Sequence, residues 1–390
     1  MLNMQQPFGA DVISRISATM LDENALERLR IAAQSTLSEL TNEVIKEAGI
    51  SPNNVYEIAI AGNATMVQLV LGVDPEPVGV APFITASQNW PVLNAKEFGI
   101  EIHPGARAYI FPSFGAYVGG DIVAGVLASG MDRDKRVRLF IDVGTNCEIV
   151  LSDGNKILTT AAPAGPAFEA ASIKCGMRAA DGAIEVVKIT KDGVSLQVIG
   201  DVEPQGMCGS GLVDAVAELA KIGVLDQSGR FVTQDVMDKE FPKLSSRLIN
   251  LETNEKAFLL HGDKNDPLVY LTQRDVRELQ FAKASIATGW RLLMEQLKLN
   301  DEDIQQVLLA GSFGSYLSPA SAIQIGLVPK IPVMRIVSAG NVAGEGAKMV
   351  LLSQPERNGA TALLNEVEYV ELSDRADFND KFVVQLSFPN

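Results

Sequence analysis

The chain has 390 residues, a formal net charge of −15 at pH 7 and 47% apolar residues. That length carries two domains, and the acidic balance opposes binding to nucleic-acid phosphates. No apolar run reaches the roughly 18 residues of a membrane span, and MLNMQQPFGADV lacks the basic and apolar regions of a secretory signal, so the cytoplasm is the expected location.

Residues 22–48 carry Leu26, Leu29, Ala33, Leu37, Leu40 and Val44 at helical spacing and predict a helix stopped by Gly49. VYEIAIA at 55–61 predicts a short strand, which Gly62-Asn63 links to a helix over 64–71 ended by Gly72. Residues 74–112 are proline-rich and loop-like, with a strand at 109–111. Gly119-Gly120 then precede Asp121 and a helix whose Ala124, Gly125 and Ala128 let another backbone approach closely. In a two-lobed protein such a helix reads as a crossing between lobes. The basic stretch 132–138 marks the expected boundary, giving a first lobe over 1–131 and a second over 132–390.

The second half opens with strands predicted at 137–143, 147–151 and 156–160. PAGPAFEAASIKCGMR, 163–178, reads as a glycine-punctuated loop and helix. Strands at 183–190 and 194–199 are joined by Lys191-Asp192-Gly193, a hairpin signal. Residues 210–222 form an amphipathic helix, and 272–297 give the longest helical pattern, with Val276, Leu279, Ala282, Ile286 and Trp290 on one face. Strands at 304–310 and 336–339 run into Gly311-Ser312-Phe313-Gly314 and into a glycine turn, 340–346, that opens a helix to Leu352.

Four of these elements carry chemistry. In RLFIDVGTNCEIVL, 138–151, a strand closed by Asp142 meets a Gly144-Thr145-Asn146 turn and a second strand. Such a hairpin aims backbone N–H groups at an anion and sets a carboxylate where hydrated magnesium would sit, although Asp-x-Gly-Thr also occurs in ordinary turns. Gly311, Ser312 and Gly314, then Gly340 and Asn341, are candidate contacts for a nucleoside, which can lie on backbone that lacks side chains. They read equally as a plain strand-to-helix turn and as a helix-packing feature. Asp121, at a helix start, has the residue type to accept a proton from an attacking hydroxyl or to orient water; it reads equally as an N-cap. Glu148 and Glu169 read as solvated, with Glu169 a further candidate. Cys147 is expected to pack under the hairpin. Cys147, Cys175 and Cys208 form no C-x-x-C pair, so their spacing encodes neither a zinc site nor an iron–sulfur cluster.

Taken together, FGADVISRI, AGNATMVQLVLG, IDVGTNCEIVL, PAGPAFEAASIKCGMRAADGAIE, CGSGLVDAVAEL, RDVRELQFAKASI, LAGSFGSYL and the terminal SFPN resemble the ATPase part of the reductive activators of corrinoid proteins. These belong to the acetate and sugar kinase, heat-shock protein and actin superfamily. The resemblance implies an α/β, two-lobed actin-like (ribonuclease H-like) ATPase fold. It implies ATP and magnesium as cofactors, with Asp142 holding magnesium through water, Asp121 orienting water, and Gly144, Thr145 and Asn146 at the phosphates. It further implies ATP-dependent reduction of a Co(II) corrinoid to Co(I), a corrinoid protein of a methyltransferase system as partner, and a homodimer. Electrons in that family come from a [2Fe–2S] cluster in an N-terminal ferredoxin-like domain. The cysteine spacing for it is missing here. The family's earlier Asp-x-Gly-Thr-Thr hairpin, which would precede Asn3 and Gln5, is missing too, so the first lobe is expected to lack its opening strands. Two other readings stand beside this one: a small-molecule kinase of the same superfamily, with Asp121 as general base, and a non-catalytic module that docks on a corrinoid protein.

Overall fold

A computed structural model describes residues 3–9 and 11–389. The chain divides into two compact units: residues 1–135 with 154–159 and 341–369, and residues 136–153 with 160–340 and 370–390.

In the first unit, strand Glu57–Ile60 pairs in parallel with Arg107–Ile110, and Leu93–Asn94 adds an antiparallel edge. Helix Ala25–Ala48 ends at Gly49 in the left-handed conformation, and helix Ala64–Leu71 ends the same way at Gly72. Ala33, Ile45, Val67, Val70, Phe98, Ala108 and Ile110 form the core between these helices and the sheet. Helix Gly120–Ser129 packs against Val342–Leu352. A Cβ on Gly346 would lie 2.4 Å from Ala124 O, so the small residues of both helices serve a close backbone approach. Arg357 grips Glu57 bidentately at 2.7 and 2.6 Å, and strand Val367–Tyr369 runs parallel to the first half of Ile157–Pro163.

In the second unit, Ile336–Gly340, Gln306–Ala310 and Arg138–Asp142 lie side by side in parallel, and Asn146–Ser152 returns antiparallel to the last. Leu139, Phe140, Ile141, Val307, Leu309 and Ala310 are almost wholly buried, as expected for strands covered on both faces. Helix Gln273–Leu297 begins at a capping box between Thr272 and Asp275 and lies on Asn146–Ser152, so close that a Cβ on Gly289 would stand 2.6 Å from Ile149 Cδ1. Two smaller sheets complete the unit. Ala183–Thr190 pairs with Gly193–Val198 and Gly206–Met207, under helix Gly209–Ile222. Leu248–Asn250, Lys256–Gly262 and Pro267–Thr272 form an antiparallel meander.

Residues 163–178 form turns and no helix. Gly165 (φ 73°) and Ala170 (φ 55°) are left-handed, and the Lys174 N–H goes to Asp275 Oδ1 at 2.9 Å, all incompatible with a continuous helical ladder. Among the described residues no helix is long and apolar enough to cross a membrane.

Candidate functional site

The parallel strands of the second unit end together. Ala310 pairs with Asp142 on one side and Gly340 on the other, and the Val143 N–H donates to Ala310 O at 3.1 Å. The ends of such strands, where the chain turns into helices, are where open α/β sheets take ligands. Gly311 is left-handed at φ 84°, and a Cβ there would lie 2.4 Å from Asp142 Oδ1 and 2.8 Å from Val143 O. The backbone at Gly311 therefore rests on the Asp142 carboxylate, in space that no other residue leaves open. Gly340 is also left-handed, at φ 67°, with nothing near its missing Cβ.

The hairpin turn is tied from within. Cys147 is fully buried; its Sγ accepts from the Gly144 N–H at 3.4 Å and donates to Gly144 O at 3.1 Å. Burial, with Glu148, Asp142 and Glu169 around it, pushes its thiol well above the usual range, so Cys147 packs as a neutral group. Thr145 O accepts from the Ala164 and Gly165 N–H groups, and the Thr145 hydroxyl donates to Glu169. Asn146 opens the return strand, and Glu148 sits opposite Asp142 and is buried. Neither glutamate is a solvated surface group. The structure thus brings Asp142, Gly144, Thr145, Asn146, Gly311 and Gly340 to one end of one sheet, with Gly314 in the short helix Gly311–Gly314, against Leu309 and Val143. The side chain of Ser312 lies outside the described residues.

Asp121 and Asn341 belong to the first unit. Asn341 is the N-cap of Val342–Leu352, its Oδ1 accepting from the Gly344 N–H at 3.0 Å. Asp121 is not a cap: Gly119 holds that place, and Asp121 lies in the first turn with Oδ1 accepting from the Ile122 N–H at 3.1 Å. Burial pushes its carboxyl up to about 6, against the lowering pull of that N–H. The parallel strands Glu57–Ile60 and Arg107–Ile110 again end together here, with the Gly120 N–H donating to Gly62 O at 3.0 Å. A Cβ on Gly119 would lie 2.7 Å from both Asp121 Oδ1 and Asn63 Cα. Asn63, which caps helix Ala64–Leu71, therefore joins Asp121. Its sequence signal was a Gly-Asn pair ahead of an apolar helical run.

The candidate carboxylates do not form a metal cage. Among the described residues no group of three or more His, Cys, Asp or Glu side chains converges on a metal position.

With this geometry in view, comparison with known proteins is specific. Residues 136–390 match the family described as the C-terminal domain of RACo, the ASKHA domain, and residues 1–134 match the RACo middle region. The chain is 36% identical over 391 aligned positions to the corrinoid activation enzyme RamQ of Eubacterium limosum, covering all of this chain and 65% of that protein. It is 23% identical to the [Co(II) methylated amine-specific corrinoid protein] reductase of Methanosarcina barkeri, covering 91% of this chain and 67% of that one. A solved reductive activator for a corrinoid, iron-sulfur protein superposes with a TM-score of 0.85 at 37% identity, over all of this chain and 61% of that one. The chain thus spans roughly two thirds of the length of the relatives it matches. The expected actin-like fold is borne out, and the chain belongs to the RACo family, with its ASKHA domain over residues 136–390.

Proposed function

We propose that this chain is the nucleotide-binding part of an activator that couples ATP hydrolysis to reduction of a Co(II) corrinoid, held by a partner protein, to Co(I). The observation that carries the reading is the Gly311 backbone resting on the Asp142 carboxylate at the ends of parallel strands. A glycine there lets the backbone close on the carboxylate, and Gly340 beside it, with nothing near its missing Cβ, leaves side-chain-free room that suits a magnesium nucleotide.

Magnesium ATP, when bound, supplies the free energy that the uphill electron transfer requires. Asp142 holds the metal's water shell. The Gly144–Asn146 backbone orients phosphate oxygens, and the Thr145–Glu169 hydrogen bond fixes that turn. Gly340, with nothing near its missing Cβ, admits the nucleoside against bare backbone, and Gly311, Ser312, Gly314 and Asn341 are the other candidate contacts. Asp121, its carboxyl raised to about 6, holds or takes a proton at its Oδ atoms near neutral pH and orients water. Nucleotide can drive the partner only by favouring one conformational state of the activator over another. The corrinoid is the substrate, its electron comes from an iron–sulfur ferredoxin-like donor, and a homodimer is the expected assembly.

Isothermal titration with Mg-ATP tests the first half, beside Asp142→Ala. Unchanged affinity in the variant would remove Asp142 from the site. The second half is read by the visible spectrum of a Co(II) corrinoid protein mixed with reductant, donor domain, the chain and ATP. ATP-dependent formation of Co(I) is expected, and phosphorylation of a small acceptor in its place would assign a kinase.

A further inference from the structure

Two segments singled out in the sequence, RDVRELQFAKASI and the terminal SFPN, have no part in the nucleotide site, yet they meet in the second unit. Helix Gln273–Leu297 grips the tail along one stripe: Gln280 Nε2 donates to Leu386 O at 2.7 Å, Lys283 Nζ to Ser387 O at 2.6 Å, and Arg291 Nε to Gln385 Oε1 at 3.2 Å. Phe388 is buried, and its ring lies 5.5 Å from Lys283 Nζ. Beside this junction is a cavity of about 530 Å³, within the range of small-molecule sites. Its charged lining is Lys283, Arg291 and Lys330 against the single carboxylate of Asp301. Asp301 already faces Arg291 at 3.8 Å and accepts from the Lys330 backbone N–H at 3.3 Å. Ile323, Val328, Val384 and Phe388 make the apolar part of the wall.

Lys283 is the anomaly. It is 1% exposed, and among the described residues its ammonium meets one carbonyl and one ring face but no carboxylate. A buried charge is ordinarily paired, and an ammonium that donates to one carbonyl has further N–H groups to give. We propose that this cavity is a binding site for a small organic anion, a carboxylate or phosphate head on a short apolar body, with Lys283 and Arg291 on the head and Val328, Val384 and Phe388 on the body. The cavity lining shares no residue with the nucleotide assignment, so the proposal stands apart from that reading.

Burial, then Arg291, pushes the Lys283 amine down to about 7. An anion that needs the charged amine therefore binds with full strength below that value and draws in a proton above it. Among the described residues, the other charged groups facing the cavity are Arg291, Asp301 and Lys330.

The test is isothermal titration of the full chain with hexanoate and with hexyl phosphate, at pH 6.5 and 8.5. Binding that weakens several-fold at the higher pH is expected, and the tighter probe identifies the head group. Lys283→Gln should weaken it about tenfold or more, the scale of a charge-assisted hydrogen bond. Arg291→Gln, at a half-exposed position, should weaken it several-fold and decides the matter if the lysine variant fails to fold. No heat from either probe, or affinity untouched by Arg291→Gln and by pH, overturns the proposal.

Discussion

Replacing Gly311 with alanine separates backbone strain from a specific collision with the site. At φ 84° a β-carbon costs about 1–2 kcal/mol wherever it stands. At Gly311 it would also fall 2.4 Å from Asp142 Oδ1, 2.8 Å from Val143 O and 3.1 Å from Val143 N. Relief requires the carboxylate or the hairpin to retreat by roughly 1 Å, and forced overpacking of this kind adds about 1–3 kcal/mol. The expected total is about 2–5 kcal/mol of stability, with a loss of Mg-ATP affinity because Asp142 is the group displaced. Gly130→Ala is the control: its φ is 66° and nothing lies near the missing Cβ, so only the backbone term applies. Urea unfolding of both variants gives the two stabilities, and isothermal titration with Mg-ATP gives the affinities. Equal destabilisation of the two variants, with nucleotide affinity unaltered in Gly311→Ala, would refute the claim that this glycine exists to seat backbone on Asp142.

The remaining expectations follow from single contacts. Asp121→Asn should raise stability at pH 7 relative to wild type. The folded carboxyl sits at about 6, above its ordinary value of 3.8, so its burial penalty is fully present above pH 6 and relieved as pH falls toward 4. The gap between the two proteins in urea should therefore shrink by at most about 3 kcal/mol over that range, and parallel pH profiles would count against the assignment. Gly346→Ala should cost about 1–3 kcal/mol through contact with Ala124 O, seen as a lowered urea midpoint; an unchanged midpoint would mean the helices are not packed as described. Iodoacetamide on the native protein should label Cys175 ahead of the buried Cys147 and Cys208, as read by peptide mass spectrometry, and early labelling of Cys147 would contradict the closed hairpin. Arg357→Ala leaves Glu57 without its bidentate partner and should lower stability by about 1–3 kcal/mol, while Arg357→Lys should recover only part of it.

What the sequence could disclose was local. Gly49 and Gly72 stop their helices because each ends in a left-handed residue, a signal carried by one position. The buried strands Arg138–Asp142 and Gln306–Ala310 are legible as short apolar runs, and the Gln273–Leu297 helix as a long periodic stripe. Pairing is another matter. Nothing in the composition of LAGSFG says that Ala310 lies beside Asp142 or that Gly311 must forgo a side chain on that account. The Thr145–Glu169 bond depends on an irregular segment whose left-handed Ala170 no periodicity announces. The meander over Leu248–Thr272 was obscured because its apolar runs, AFLL and LVYL, are short and show no alternation, and polar loops separate them.

The two units solve one problem in the same way, and this is the strongest physical reason to treat Asp121 and Asp142 as functional groups rather than turn residues. Each lies where parallel strands stop together, and each is crowded by a glycine whose β-carbon would strike the carboxylate: Gly119 at 2.7 Å and Gly311 at 2.4 Å. A capping aspartate needs no such arrangement, since it bonds the N–H groups of its own helix two or three residues ahead. Asp121 instead bonds its neighbour's N–H and its own, and stays raised toward neutrality, a state that costs stability. An acid kept in that condition beside Asn63, where asparagine would fill the same space without the penalty, is what the proposed role of Asp121 as a proton acceptor requires.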